Sequence, residues 1–541
     1  MTFSLRPAFA QIPYVKLSYN IGGLFDVPTG TYVFGRHNEA ILNGGLGPIT
    51  GVVGIGNQFK STIMHDMMLI AMARMAESTG NTYDTEINIL ESRLRALGVA
   101  LPDFKGEDVI DNGRWTITDK SIYFGNEWYE ILKEFLKEKE KEVNAKSKAI
   151  MRETPFIDRD GSLMKIAIPT FTEIDSFSQF ETQDVANMQA ANELGDSGAN
   201  TMFMRQGIAK TRFLTDIPKM IAKANNPMLM TAHIGKGIPM DAKAPPEKKL
   251  QFLKNGDKMK GVTDMFTFLT TNCFHCQNAA PMFNDGTKGP EYPRDSDDNL
   301  KFDTDLFLVT LVTLRSKTGP SGMLMQVIVS QQEGLQPSLT EFHYLKTMDR
   351  YGFGGNLQNY WLELIPEVKL SRTAVRGKIN KDAKLRRALN IMAEMCQMEM
   401  LWHDKETKDL ACTPKQLYDD LKAKGYDWDQ LLDTRGWWTF NNDEPVERID
   451  GAQQYFLSTR DLLRMRKGLY HPWWMPKPAG LVLEENNPHS VTKADVGLGL
   501  SDPKTGLDVV SSLDDFAIDL PTDQHGKALS VKKIVKKLVA A

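Results

Sequence analysis

Apolar residues in the first two thirds of the chain fall into short runs separated by polar or glycine-bearing segments. Ile49–Ile55, Asn81–Glu86, Ala167–Asp175, Pro227–Ile234, Leu306–Leu314 and Met323–Ser330 have the length and the β-branched or aromatic content of strands. Longer stretches between them, such as Thr62–Met75, read as helices. This alternation from about 46 to 355 predicts an α/β domain on a largely parallel sheet. Residues 1–45, with short strand patterns and Gly/Pro turns, predict an N-terminal arm. Beyond about 356 the period changes to amphipathic helices, as in Lys381–Trp402, and predicts a mainly helical C-terminal domain over 356–484. Residues 485–541 alternate acidic and basic blocks and predict a flexible tail. Residues 126–147 form a charged helical stretch that reads as a solvated face, and residues 236–260, basic and Pro/Gly-bearing, read as a long mobile loop.

Length and composition bound the rest. A chain of 541 residues exceeds one ordinary domain, and 41% hydrophobic with 25% charged residues is the balance of a soluble globular protein. No stretch approaches the roughly 20 apolar residues that span a bilayer, and the first residues lack a secretory pattern, so no membrane association is expected. Four cysteines against 27 methionines suit a reducing cytosol rather than a disulfide framework. The net charge of -4 neither favours nor excludes nucleic acid, because basic loops can line one groove of an acidic protein.

The sharpest local signal is Gly54-Ile-Gly-Asn-Gln-Phe-Lys-Ser-Thr62, set between an apolar strand and a helix. A strand that turns through glycines into a helix aims backbone N–H groups and the helix N-terminus at one spot, which is how a triphosphate is held. Gly54, Gly56, Asn57, Gln58, Phe59, Lys60, Ser61 and Thr62 are therefore candidate nucleotide contacts. Lys60 would reach the β and γ phosphates of ATP, and the Ser61 hydroxyl would ligand Mg²⁺. Phe59 stands where such loops usually carry glycine. Alone, the loop fits a nucleotide site or an ordinary tight turn. Two acidic strand ends favour the first. Tyr83-Asp84-Thr85-Glu86 places Glu86 to polarise the attacking water, although Asp84 and Glu86 could simply cap the next helix. The strand ending in Glu173-Ile174-Asp175-Ser176 makes Asp175 the water-mediated Mg²⁺ partner.

With these segments in view, the chain resembles bacteriophage UvsX-type recombinases of the RecA family. The resemblance rests on Phe59-Lys60-Ser61, on Asp84-Thr85-Glu86 with the run to Leu94–Val99, on Ile174-Asp175-Ser176, and on Glu193–Ser197 leading into a helix with Arg205 and Lys210. Met230-Thr231-Ala232-His233 lies where the family has a strand ending in a γ-phosphate sensor, which makes His233 a third catalytic candidate beside Glu86 and Lys60. The 236–260 loop occupies the place of the second DNA-binding loop, so Lys236, Lys243, Lys248, Lys249, Lys254 and Lys258 join Arg205 as candidate DNA contacts. Leu314-Arg315-Ser316-Lys317 resembles the segment whose basic residues reach ATP on a neighbouring protomer, and this nominates Arg315 and Lys317. The resemblance covers roughly residues 20–350. It implies a RecA-like P-loop ATPase core that uses ATP and Mg²⁺, assembles into a helical filament on single-stranded DNA and pairs it with double-stranded DNA. It further implies the cytoplasm of an infected bacterial host, with phage loading or single-strand-binding proteins as partners. The chain departs from the family in a long interval before Asp175, in extra sequence over 261–305 and in everything after 356.

A hexameric ring helicase with a related core would need the same strands and a basic residue reaching across the ring. A nucleotide-binding filament protein without turnover would not need both Glu86 and Asp175. Cys273-Phe-His-Cys276 has two of the four ligands a zinc site requires, and Cys396 and Cys412 are distant in sequence, so structural thiols are expected. The Trp437-Trp438 and Trp473-Trp474 pairs read as glue for a small domain rather than base-stacking platforms.

Overall fold

The computed structural model describes residues 16–483 apart from 101–108, 159–160, 192–198, 237–250, 254–255, 296, 299–302, 449 and 482. Residues 15–157 and 163–490 form one compact unit; the other comprises 1–14, 158–162 and 491–541 and lies almost wholly outside the described residues. The tail over 485–541 and the first part of the arm therefore fall outside the described residues. Among the described residues no helix is long and apolar enough to cross a membrane.

In chain order the larger unit opens with a hairpin, β1 (Thr31–Phe34) and β2 (Ala40–Asn43), and then enters β3 (Ile49–Gly54) and α1 (Lys60–Arg74). There follow β4 (Thr79–Asp84), α2 (Glu91–Ala100), β5 (Trp115–Asp119), α3 (Gly125–Asn144), the hairpin β6 (Met151–Ile157) and β7 (Leu163–Ala167), and β8 (Thr170–Asp175). Helices α4 (Gln183–Ala191) and α5 (Ala199–Ala224) lead to β9 (Met228–Lys236), β10 (Asp257–Lys260), α6 (Met265–Leu269) and β11 (Asn272–Pro281). The sheet is completed by β12 (Leu306–Ser316), β13 (Leu324–Ser330) and β14 (Gly334–Leu335). Its order is β14-β13-β12-β11-β3-β9-β8-β4-β5, with β10 paired to the end of β9. The stretch from β11 to β5 is parallel throughout, and β12, β13 and β14 add antiparallel edges. The chain is thus a mixed α/β structure with a large, mostly parallel central sheet.

Side chains alternate between the faces of this sheet, as a period of two requires. Val52, Leu229, Phe171 and Phe274 join one apolar cluster with α1, whereas Val53, Met230, Ile174 and Tyr83 join a second with Trp128, Leu132 and Leu136 of α3 and Phe213 and Ile217 of α5. Apolar positions four apart explain why the charged stretch at 126–147 docks as a helix: its inner face is Trp128, Leu132 and Leu136, with Lys139 buried beside them, and most of its charge lies on the outer positions. All six strands expected from sequence are present within a few residues. Others in this sheet were not anticipated, among them β5, β10, the short β14 and β11, a parallel neighbour of β3 inside what read as extra sequence. The 236–260 segment is the connection of a hairpin, with Lys236 opposite Asp257 and His233 opposite Lys260.

Helix α7 (Pro337–Thr347) follows β14, and after 352 come a three-stranded sheet of β15 (Phe353–Gly355), β16 (Tyr360–Leu362) and β17 (Ile365–Leu370), and the helices α8 (Val375–Lys381), α9 (Ala383–Leu401), α10 (Lys405–Leu410), α11 (Pro414–Ala423), α12 (Trp428–Leu432) and α13 (Thr459–Lys467). Side-chain caps mark several starts: Asp382 accepts from Leu385 N–H, Thr413 and Gln416 form a capping box, and Ser458 accepts from Asp461 N–H. These helices share the first apolar cluster with the N-terminal arm. The Gln397 amide donates to Leu24 O at 3.1 Å, and the Trp438 indole, fully buried against Tyr19 and Phe156, donates to Ser18 O at 3.1 Å. Trp438 is packing glue, as its sequence context suggested.

Candidate active site

The site is built at the carboxyl ends of β3, β9, β8 and β4, where open α/β sheets place ligands. Gly54 closes β3, and a side chain there would lie 2.7 Å from Cys276 O of the adjacent β11, so close approach of two strands dictates glycine. Ile55, Gly56 and Asn57 are exposed, and Gln58 and Phe59 are half-buried. Asn57 and Phe59 both take left-handed backbone conformations, with φ of 57° and 58°. Phe59 therefore adopts the geometry that glycine would adopt at no cost, at about 1–2 kcal/mol. Its ring packs on Phe307 with centroids 5.0 Å apart, which offsets part of that cost. Its carbonyl accepts from Ile63 N–H at 2.9 Å and starts α1. Left-handed residues alternating with their neighbours at a helix N-terminus form an anion-binding concavity.

Lys60 is buried and its ammonium donates to Ile55 O at 2.7 Å. Burial lowers its pKa, opposed by the pull of Cys276, Asp175 and Glu86 around it. Ser61 and Thr62 occupy the first turn of α1.

The two acids at the end of β4 have divided roles. Asp84 is buried and its carboxylate accepts the N–H groups of Glu86, Ile87, Asn88 and Ile89 at 2.8–2.9 Å, so it shapes the loop. Glu86 is held out toward β8 and β9: it accepts from Ser176 Oγ at 2.8 Å and from Asn88 Nδ2 at 3.1 Å, and lies 2.8 Å from His233 Nε2. The His233 hydrogen bond, with those from Ser176 and Asn88, outweighs burial and holds the Glu86 carboxyl down at about 2. It is an ionised carboxylate, still partly open to solvent. His233 itself is fixed by its backbone N–H donating to Ser178 Oγ at 2.9 Å. Asp175, at the tip of β8, accepts from the Thr231 hydroxyl. Lys60, Glu86, Asp175 and His233 thus converge from four elements.

A buried layer beneath this cluster was not anticipated. His65 Nδ1 lies 2.8 Å from Glu173 Oε2, and its Nε2 lies 3.9 Å from Asp175 Oδ2. Burial alone would lower the His65 pKa, but Glu173, directly and by hydrogen bond, raises it to about 9. Thr82 donates to Glu173 at 2.7 Å and accepts from the Trp115 indole at 2.8 Å. The sequence signal for this layer was a His-Asp pair inside an otherwise apolar helix, which leaves two polar groups that must find partners.

Among the described residues no group of three or more His, Cys, Asp or Glu could cage a metal ion. Mg²⁺ needs less than that, since it keeps waters and shares phosphate oxygens with one or two protein ligands. The hard oxygens of Ser61 and Asp175 fit that donor set. Cys273 and Cys276 do not make a metal site: three positions apart on β11, they belong to opposite faces of the sheet. Burial pushes both thiols up to about 12.

Arg315 and Lys317 are not brought to Lys60. Arg315 is paired with Cys273, which is opposite Gly51, so it lies two strands across from β3 and level with a residue three positions before Gly54. Its guanidinium lies over Phe268 at 5.5 Å, and Lys317 N–H donates to Thr271 O. Of the candidate DNA contacts, Arg205 is exposed on α5, and Lys236 and Lys258 are exposed on the β9–β10 hairpin, with Lys236 paired to Asp257. Lys210 is not a surface cation: it is buried and donates to Ser178 O at 2.7 Å and Gly261 O at 2.6 Å. Lys243, Lys248, Lys249, Lys254 and Glu193–Ser197 lie outside the described residues.

No protein-family model matches the chain, and no curated protein does. Among solved structures it is similar to the crystal structure of the RadB recombinase, at 13% identity, covering 55% of this chain and 93% of that one with a TM-score of 0.28. At that TM-score the likeness carries no weight for fold or activity.

Proposed function

We propose that this chain is an ATP-driven DNA recombinase of the RecA family, of the UvsX type that bacteriophages encode, working in the cytoplasm of an infected bacterium. The convergence of Lys60, Glu86, Asp175 and His233 at adjacent parallel strand tips beside a glycine loop carries this reading. In it, the loop N–H groups from Gly54 to Thr62 and the Lys60 ammonium hold the ATP phosphates. Mg²⁺, held by Ser61 and through water by Asp175, supplies charge neutralisation at the phosphate oxygens. Glu86, kept ionised by its hydrogen bonds, polarises the attacking water. His233 ties Glu86 to the strand that leads into the 236–260 hairpin, so DNA on that hairpin and hydrolysis share one mechanical element. Arg315 and Lys317, remote from Lys60 in their own protomer, serve the ATP of a neighbour in a helical filament. Arg205, Lys236, Lys258 and the remaining lysines of the hairpin contact DNA phosphates, which makes binding salt-dependent and tolerant of sequence.

The test is ATP hydrolysis with and without single-stranded DNA for the wild type, Lys60→Ala and Glu86→Gln. Hydrolysis stimulated by DNA and lost in both variants is expected, with helical filaments in electron micrographs. Hydrolysis indifferent to DNA or to both substitutions would overturn the reading. Closed rings with directional unwinding would replace it with a helicase.

A further inference from the structure

The C-terminal end of α1 borders a cavity of about 180 Å³ whose walls come from that end, the N-terminus of α7, α9 and residues 434–437. A 15-residue helix is about 22 Å long, so this cavity is well separated from the glycine loop at the other end of α1. Arg74, Arg386, Arg387, Arg435 and Arg448 line it, against the acids Asp26, Glu341 and Glu394.

The acids attract the arginines beside them, Glu394 and Glu341 drawing on Arg387, and Asp26 and Glu341 on Arg74, but their hydrogen bonds go to other groups. Asp26 accepts from Ile21 N–H at 2.8 Å and Gly22 N–H at 2.9 Å. Glu341 and Glu394 share the Asn390 amide, at 3.4 and 3.1 Å. Arg448 is satisfied by Asp433 and Asp450. Arg387 and Arg435 are each at most 5% exposed, and neither forms an ion pair among the described residues. Arg387 donates to Asn390 Oδ1 and Leu457 O, and its Nε has no acceptor. Arg435 donates from Nη1 to Trp437 O and Asn442 Oδ1, while its Nε and Nη2 have none. A buried guanidinium with no ion-pair partner is among the costliest arrangements a protein can keep. The Trp437 ring holds two of the cavity's arginines in place, with Arg74 at 5.3 Å and Arg435 at 5.1 Å from its centroid. Independently, α7 begins at this cavity with Pro337 in its first turn and no side-chain cap, which leaves the Ser338 and Leu339 N–H groups and the positive end of the helix dipole facing the same space.

We propose that this cavity is a second anion site, for a small phosphate species such as inorganic phosphate or pyrophosphate, bound by Arg74, Arg386, Arg387 and Arg435 together with the N-terminus of α7. Charge-assisted hydrogen bonds from planar guanidiniums match phosphate oxygens, and the volume admits such an anion. The site does not depend on the ATPase reading.

The full chain carrying Lys60→Ala, which disables the glycine loop, is titrated with pyrophosphate and with inorganic phosphate by calorimetry. A single site is expected. Arg386 also donates to Ile379 O at 2.8 Å and Asn380 O at 3.1 Å, and Arg386→Gln on that background should weaken binding by about tenfold or more, the loss of one charge-assisted contact, with circular dichroism showing the chain still folded in the absence of anion. Arg387→Gln should do the same, and if it does not fold the half-buried Arg386 decides. Binding abolished by Lys60→Ala alone, or left unchanged by Arg386→Gln, overturns the proposal.

Discussion

The strand tips and the buried interior both carry carboxylates, and the two settings treat them in opposite ways. At the tips Glu86 is surrounded by His233, Ser176 and Asn88 as directed partners and is held at about 2. In the interior Asp66 and Asp461 are fully buried, and burial outweighs their donors and raises them to about 7 and about 6. Glu341 rises well above its ordinary value for the same reason. Asp305 is the interior exception: burial is overcome by hydrogen bonds and charge from Arg376, and its carboxyl stays below the usual range. Residue type therefore says little. A carboxylate reachable by water and held ionised by neutral or switchable donors can do chemistry; one that burial keeps protonated, or that an arginine captures, is structural.

The largest expected break of this contrast is Glu86→Gln. It removes the ionised oxygen but keeps the hydrogen-bonding shape, so the proposed hydrolysis should fall by about 10²–10⁴ while the denaturation midpoint falls only by the contribution of that one charge. An equal loss of stability would make Glu86 structural. Next is Asp305→Ala, which leaves the buried Arg376 with Glu333 as its remaining acid partner and takes Asp305 from Arg294, and should cost about 1–3 kcal/mol in urea unfolding. A loss below about 1 kcal/mol would place that pair with ordinary surface ion pairs. Third is pH. Asp66 has a folded-state pKa raised from 3.8 to about 7, so the folded state binds the extra proton in that interval. Its contribution is complete below about pH 4 and is lost as pH rises through 7. Asp66→Asn copies the protonated form and its bond from Leu335 N–H, so the fall in stability between pH 4 and 7 should flatten, by up to about 4 kcal/mol across the interval. Glu86 has the reverse sign, with its contribution present above about pH 4.5 and lost toward pH 2. An unaltered slope in Asp66→Asn would refute the assignment. The smallest effect is expected of Phe59→Gly: relief of the left-handed backbone against loss of the Phe307 contact should leave stability within about 1 kcal/mol and hydrolysis within a few fold.

The glycine loop was legible because its chemistry is local: Gly54, Lys60 and Ser61 are close in sequence to one strand and one helix, and the structure places each at the turn between them. Glu86 was legible by position at a strand end, but its separation from Asp84 was not. Both acids could cap the loop, and only the four N–H groups gathered on Asp84 show which one does. His65 and Glu173 were illegible because their pairing links residues 108 positions apart across two elements. Strand β11 was missed because its sequence is polar for a central strand, Asn272-Cys-Phe-His-Cys276, and its place beside β3 is set by pairing rather than by pattern.

The sequence by itself determined the alternation of strands and helices, the loop that begins α1, and the short-range caps of α9, α11 and α13, because these depend on residues a few positions apart. The tertiary structure alone decided the order of the strands, which acid faces Lys60, and the opposite faces taken by Cys273 and Cys276. It also set the distance of Arg315 from Lys60 and the gathering of arginines at the far end of α1. Those depend on the register and packing of segments distant in sequence, where burial and hydrogen-bond satisfaction act on the whole assembly of elements rather than on any one of them.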